Sequence, residues 1–170
     1  MTDVQKCVLV VDDEQDVRNY LRAALEDAGF RVITAQDGFE ALEKVKAEAP
    51  DLISLDLVMP KKSGAMFHRE LQKNRKWAKI PVLIVTGHAR DELGRADFEE
   101  MTLSGPGIYL EKPVSPQTYV DAVCRMLGIE TARQNEAKER QLREELLRRL
   151  NQADAETLQR ALDALKKSSE

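Results

Sequence analysis

The stretch Lys6-Cys-Val-Leu-Val-Val-Asp-Asp-Glu14 decides the fold: an unbroken apolar run with three valines stops dead against three acids. A strand that is apolar at successive positions is buried on both faces, as in a parallel sheet covered by helices on either side. Outward from it, the chain alternates. Val17, Tyr20, Leu21, Ala24, Leu25 and Ala28 recur at helical spacing over Glu14 to Ala28, and Gly29 marks the stop. Arg31 to Ala35 reads as a strand, and Asp37 with Glu40 three residues on opens a helix to Ala49, ended by Pro50. Leu52 to Leu57 is the third strand, broken by Met59 and Pro60. A helix over Ser63 to Asn74 follows, then a buried strand at Ile80 to Val85. A helix over Arg90 to Met101, a short strand at Ile108 to Leu110 and a helix from Ser115 and Pro116 to Leu127, stopped by Gly128, complete the series. Five strand–helix repeats predict an α/β fold: a doubly wound five-stranded parallel sheet in three α/β/α layers.

The 170 residues divide into a domain over 1–128 and a helical extension over 129–170. With 42% apolar and 33% charged residues the chain can bury a core, which excludes a disordered chain. No apolar run reaches the ~18 residues of a membrane span, and the acids at 12–14 end the N-terminal run too early for a signal peptide. Cys7 and Cys124 have neither a CxxC nor a Cys/His spacing, so the expected setting is the reducing cytoplasm, with no zinc or disulfide framework. Residues 1–130 carry 17 Lys and Arg against 22 Asp and Glu, net −5, and residues 131–170 carry 9 against 8, net +1. Neither part is the basic patch that nucleic acid requires.

In a doubly wound sheet the site lies at the carboxyl ends of the strands, near the reversal of strand order. Unusual polar residues stand there: Asp12 and Asp13 after the first strand, Asp56 ending the third, Thr86 the fourth and Lys112 the fifth. Taken singly each has a plainer reading. The paired acids read as a helix N-cap and its solvated neighbour, Asp56 equally as a site or a structural ion pair, Thr86 as a strand end, Lys112 as surface and Tyr109 as core. Their joint placement argues otherwise. Three convergent carboxylates call for a cation; few carboxylates with room for water and phosphate oxygens is the magnesium pattern. A lysine and a hydroxyl beside Asp56 suit an attached anion, and a carboxylate can itself take a phosphoryl group as an acyl phosphate.

The motifs VLVVDDE at Val8 to Glu14, PDLISLDLVMP at Pro50 to Pro60 with Gly64 beyond, VLIVTGH at Val82 to His88 and YLEKP at Tyr109 to Pro113 resemble, in order and spacing, the receiver domain of bacterial two-component response regulators, over about residues 5 to 128. The resemblance implies a flavodoxin-like fold. It implies that Asp56 accepts a phosphoryl group from a sensor histidine kinase or phosphotransfer protein, and that Asp12, Asp13, Asp56 and the backbone carbonyl of Val58 hold Mg²⁺. It implies that Lys112 pairs with the phosphoryl oxygens, Thr86 and Tyr109 move as a switch, and the Lys112–Pro113 peptide is cis. Such a chain is a signalling phosphoacceptor, catalysing only its own phosphoryl transfer and dephosphorylation. Val58 and His88, two residues beyond Asp56 and Thr86, stand where the family tunes phosphoryl lifetime; His88 also reads as an exposed loop residue. The segment between Thr86 and Lys112 is longer than in the family pattern, with SGPG at Ser104 to Gly107, so an altered partner surface is expected there.

In the tail, Thr131 with Gln134 resembles a capping box, and Leu142, Leu146, Leu147 and Leu150 form a narrow stripe. Asn151 to Asp154 interrupts it, and Asp154 caps a second helix with Leu158, Ala161, Leu162 and Leu165 on one side. Two short helices cannot bury such stripes alone; they are expected to pack as a hairpin, on the first domain, or on a second copy as a homodimer. The alternatives are a transcriptional regulator with a minimal DNA-binding tail, which the mixed charge of Asp154 to Ser168 disfavours, and a phosphate sink with no output, which deletion of 131–170 would leave working.

Overall fold

A computed structural model describes residues 5–59, 61, 63–87 and 108–167. The helix expected at Arg90 to Met101, the SGPG segment and His88 lie outside them. The chain divides into two compact units, Met1–Ile129 and Glu130–Glu170.

The first unit contains β1 (Cys7–Val11), α1 (Gln15–Asp27), β2 (Arg31–Ala35), α2 (Gly38–Ala47), β3 (Leu52–Leu55), α3 (Gly64–Gln72), a short 3₁₀ turn (Trp77–Lys79), β4 (Val82–Thr86), β5 (Ile108–Glu111) and α4 (Pro116–Met126). The sheet order is β2-β1-β3-β4-β5, every pair parallel. This is the flavodoxin-like arrangement, and strand order reverses between β1 and β3.

The apolar runs are buried on both faces. Leu9, Val11, Ile53 and Leu55 join Phe67 and Leu71 of α3 and Ala41 and Val45 of α2 on one side. Val8, Val10 and Leu52 join Leu21 and Leu25 of α1 and Tyr119 and Val123 of α4 on the other. Capping fixes the helix starts. Asp37 accepts the Phe39 and Glu40 N–H bonds, both at 2.9 Å, and the Glu40 carboxylate takes the Gln36 N–H at 3.1 Å, closing the box one residue earlier than the usual pattern. Gly29 and Gly128 have φ of 91° and 67°, the left-handed exits that glycine permits after α1 and α4.

Several boundaries differ from the sequence reading by a residue or two, and two of them bear on the sheet. The third strand stops at Leu55, which leaves Asp56 and Leu57 in the connecting loop. The fourth begins at Val82: Ile80 closes the 3₁₀ turn through its N–H to Trp77 O, and Pro81, lacking an N–H, contributes only its carbonyl, to Ile53 N.

The second unit holds α5 (Ala132–Gln152) and α6 (Ala155–Lys167). Asp154 caps α6 by accepting Thr157 N–H at 2.8 Å. Leu142, Leu146, Leu147, Leu158, Leu162 and Leu165 are exposed. No described helix is long and apolar enough to cross a membrane.

Candidate functional site

The β1–β3 reversal gathers the acids. Asp12 follows the last residue of β1 and is 1% exposed, with its N–H bonded to Ala35 O at 3.2 Å. Its side chain is no helix cap, because the N-cap of α1 is Glu14, which makes no side-chain cap bond. Instead Asp12 Oδ1 accepts Glu14 N–H at 2.9 Å and Oδ2 accepts from Lys112 Nζ at 2.6 Å. Asp56, 3% exposed, is held by its N–H to Val11 O at 2.9 Å and lies 3.7 Å from Lys112 Nζ. Asp13 is the solvent-facing member, and oxygens from the three carboxylates lie within 4.8 Å of one another.

Such crowding has an electrostatic signature. Burial holds the Asp56 carboxyl above its ordinary value; the Lys112 charge pulls it down, Asp12 pushes it up again, and bonds from the Thr86 hydroxyl and Val58 N–H pull down, with burial prevailing. Lys112, whose side chain is 18% exposed, is opposed by burial, yet the bond to Asp12 and the charge of Asp56 raise it above an ordinary lysine. A single ammonium thus serves two buried carboxylates, leaving the cluster short of positive charge. The donor set, three carboxylates with one open to water, fits a hard divalent cation such as Mg²⁺.

Of the other expected residues, Thr86 and Val58 lie beside Asp56, and Tyr109 lies on β5. Thr86 is fully buried at the end of β4, beside Asp56. Tyr109, paired in register with Ile84, packs its ring against the α2/α3 side of the core. The Lys112–Pro113 peptide is cis. Val58 is apolar and 41% exposed, next to the acids. Beside Lys112 and Pro113 a groove of about 490 Å³ opens, walled by Val17, Leu21, Val85 and Val114.

Three features escaped the sequence reading. Gly64 does more than end a motif: a Cβ there would stand 2.1 Å from Asp56 O, so α3 starts in contact with the backbone of Asp56. Arg18, one turn into α1, donates from Nη1 to Asp12 O at 2.7 Å and Asp13 O at 3.0 Å. Tyr119 of α4 is fully buried, its hydroxyl has no hydrogen-bond partner among the described residues, and burial pushes that hydroxyl well above its usual value. The signal for Arg18 was its spacing, five and six residues after the acids; nothing in the sequence distinguished Tyr119 from an ordinary core aromatic.

Comparison with known proteins covers the first unit. The family model for the response regulator receiver domain matches residues 8–124. The alkaline phosphatase synthesis transcriptional regulatory protein PhoP of Bacillus subtilis is 39% identical over 116 residues, 67% of this chain and 45% of that protein. The chain therefore spans under half of that relative. The polar-differentiation response regulator DivK of Brucella ovis is 29% identical over 123 residues, 72% of this chain and 97% of that one. Among solved structures, the chemotaxis protein CheY4 of Vibrio cholerae matches with a TM-score of 0.64 and 31% identity, covering 72% of this chain and 98% of that one.

Proposed function

The chain belongs to the response regulator receiver family of two-component signalling, and from that premise we propose that Asp56 accepts a phosphoryl group from a sensor histidine kinase or phosphotransfer protein, after which the chain changes its protein contacts. The observation that carries this reading is the grouping of Asp12, Asp13 and Asp56 opposite Lys112 and Thr86 at the β1–β3 reversal.

In the transfer, an Asp56 carboxylate oxygen bonds to phosphorus as the phosphorus–nitrogen bond to the donor imidazole breaks, the electron pair leaving with the nitrogen. The product is an acyl phosphate. Asp12, Asp13, Asp56 and the Val58 carbonyl would hold Mg²⁺, which when bound supplies positive charge beside the transferring group. Lys112 neutralises the phosphoryl oxygens from the other side, and its bond to Asp12 is the one it gives up to do so. The added charge, roughly −1.5 to −2, gives Thr86 and the Tyr109 ring a reason to rearrange. In this reading the chain is a cytoplasmic phosphoacceptor and no turnover enzyme.

Mass spectrometry after incubation with Mg²⁺ and a small phosphodonor tests it. A phosphoryl-sized gain in the wild type that Asp56→Asn loses is expected; no gain in the wild type overturns the reading.

For the tail, a second copy of the chain is the partner that its chemistry supports. Its exposed stripe is made of leucines with no aromatic residue anywhere in 130–170, the composition of a helix–helix seam and not of an anchor for a foreign pocket. Four of its arginines pair within the helices, as Arg143–Glu139, Arg148–Glu145, Arg149–Glu145 and Arg160–Glu156. With nine basic against eight acidic residues over 131–170, the tail has little positive charge to draw DNA. Light scattering should report more than one chain per particle, and Leu146→Glu with Leu162→Glu should return it to one; a wild type that is monomeric with and without phosphodonor refutes the assignment.

A further inference from the structure

We propose that Arg18 is a positioning residue of the acidic site, fixing the backbone of Asp12 and Asp13 so that their carboxylates are presented to a divalent cation. The proposal rests on the reading of those acids as Mg²⁺ ligands.

The residues that follow β1 leave the sheet, so the carbonyls of Asp12 and Asp13 need partners elsewhere. Arg18 meets both with the two hydrogens of one nitrogen, Nη1, at 2.7 and 3.0 Å. Asp12 is thereby held at all four polar atoms: its N–H by Ala35 O, its carbonyl by Arg18, Oδ1 by Glu14 N–H and Oδ2 by Lys112. Only the last of these is a contact that a cation would replace. The other three fix where the carboxylate stands. Asp13 differs, because its carboxylate is exposed and its carbonyl bond to Arg18 is what ties its position to α1. Arg18 itself is anchored by its N–H to Glu14 O at 3.0 Å, so the clamp runs from the first turn of α1 back to the loop that the helix grows from.

A guanidinium near a metal site acts in two opposed ways. Its charge repels a cation, while its bonds preorganise the ligands. Residues that orient ligands typically change metal affinity by about 10–100-fold; Arg18 grips main-chain carbonyls and its loss also removes a repulsion, so a weakening of roughly tenfold is expected.

The experiment is calorimetric titration of the full chain with Mg²⁺ alone, for wild type, Arg18→Ala and Arg18→Lys, with amide hydrogen exchange on the metal-free forms. Weaker Mg²⁺ binding by Arg18→Ala, together with lost protection of Glu14 N–H while Leu25 in the last turns of α1 stays protected, is the expected result. Equal or tighter binding by Arg18→Ala overturns the proposal, and tighter binding leaves charge repulsion as the dominant effect of Arg18. Should Arg18→Ala fail to fold, Arg18→Lys is judged by the same criterion, since it keeps the charge and loses the planar fork. A wild type that binds no Mg²⁺ removes the reading of the acids as ligands, and the positioning role with it; a wild type that binds while Arg18→Ala binds equally well removes the positioning role alone.

Discussion

Replacing Gly64 by alanine probes the join between fold and site with a single methyl group. An added Cβ would lie 2.1 Å from Asp56 O, 2.9 Å from Leu57 Cα and 3.0 Å from Asp56 C. All three are backbone atoms, so no rotamer change relieves the overlap, and the start of α3 or the Asp56–Leu57 peptide must move by about 1 Å to restore ordinary contact. Overpacking of this kind costs about 1–3 kcal/mol. The shift also stretches the Gly64 N–H bond to Leu57 O, now 3.1 Å, worth about 0.5–1.5 kcal/mol. Against these stands the gain of about 0.4–1 kcal/mol from a stiffer unfolded chain. The balance is a loss of about 2 kcal/mol, read as a lower urea midpoint at an unchanged slope. Because the atom displaced first is the carbonyl of Asp56 itself, labelling of Asp56 by a small phosphodonor, as proposed, should slow even where the variant is fully folded. An alanine variant with wild-type stability and wild-type labelling would show that the β3–α3 loop accommodates the methyl freely, and that Gly64 does not set the position of Asp56.

Asp56 should also write itself into the pH dependence of stability. Its carboxyl is raised in the folded state by burial, so its contribution is fully present below the unfolded value and lost as pH rises through the folded one; in Mg²⁺-free urea titrations the wild type should lose stability over that interval relative to Asp56→Asn, and parallel curves would refute the shift. Lys112→Ala leaves Asp12 and Asp56 facing each other without their shared ammonium, an uncompensated buried pair that should cost about 3 kcal/mol, with Mg²⁺ recovering a larger part of the midpoint than in the wild type. Finally, Val58 presents only methyl groups beside Asp56 and cannot orient an attacking water, so phospho-Asp56 is expected to hydrolyse slowly, and a measured half-life of seconds would exclude this.

How much of this was legible in the chain depends on the range of the interaction that fixes each feature. The strands announced themselves because burial on both faces forces runs such as Val8 to Val11 and Val82 to Val85. Caps were legible for the same reason, being local: Asp37, Ser115 and Asp154 each bond within three residues. The 3₁₀ turn at Trp77–Lys79 was not, since its sequence carries no period. Gly64 lay beyond reach for a different reason, and Arg18 offered only its spacing from the acids. What each does depends on the distance between a helix start and a strand end, which no local pattern encodes. The acids stood between the cases: each was plain as a residue type at a strand end, and only the parallel order β2-β1-β3-β4-β5 brings Asp12 and Asp56 side by side.

That order also explains why the site sits where the fold is least at ease. Along the face shared by α1 and α4, Val8 and Val10 of β1 pair in register with Leu52 and Ser54 of β3, and Asp12 and Asp56 follow just beyond the two strands. The same alternation that buries valine and leucine therefore carries the two carboxylates inward, one step past the last ladder residues. Burial raises Asp56 and Lys112 answers both acids from 2.6 and 3.7 Å, a single charge divided between two. A hydrophobic pair in their place would be more stable. Retaining the acids is intelligible if the missing positive charge arrives from outside: a cation relieves the repulsion, Lys112 is freed from Asp12, and the group it turns to is whatever Asp56 then carries. The energetic defect of the metal-free site and its capacity to respond to phosphorylation are in this view the same property, and a variant that cured the first, such as Asp12→Leu, should abolish the second while raising the urea midpoint.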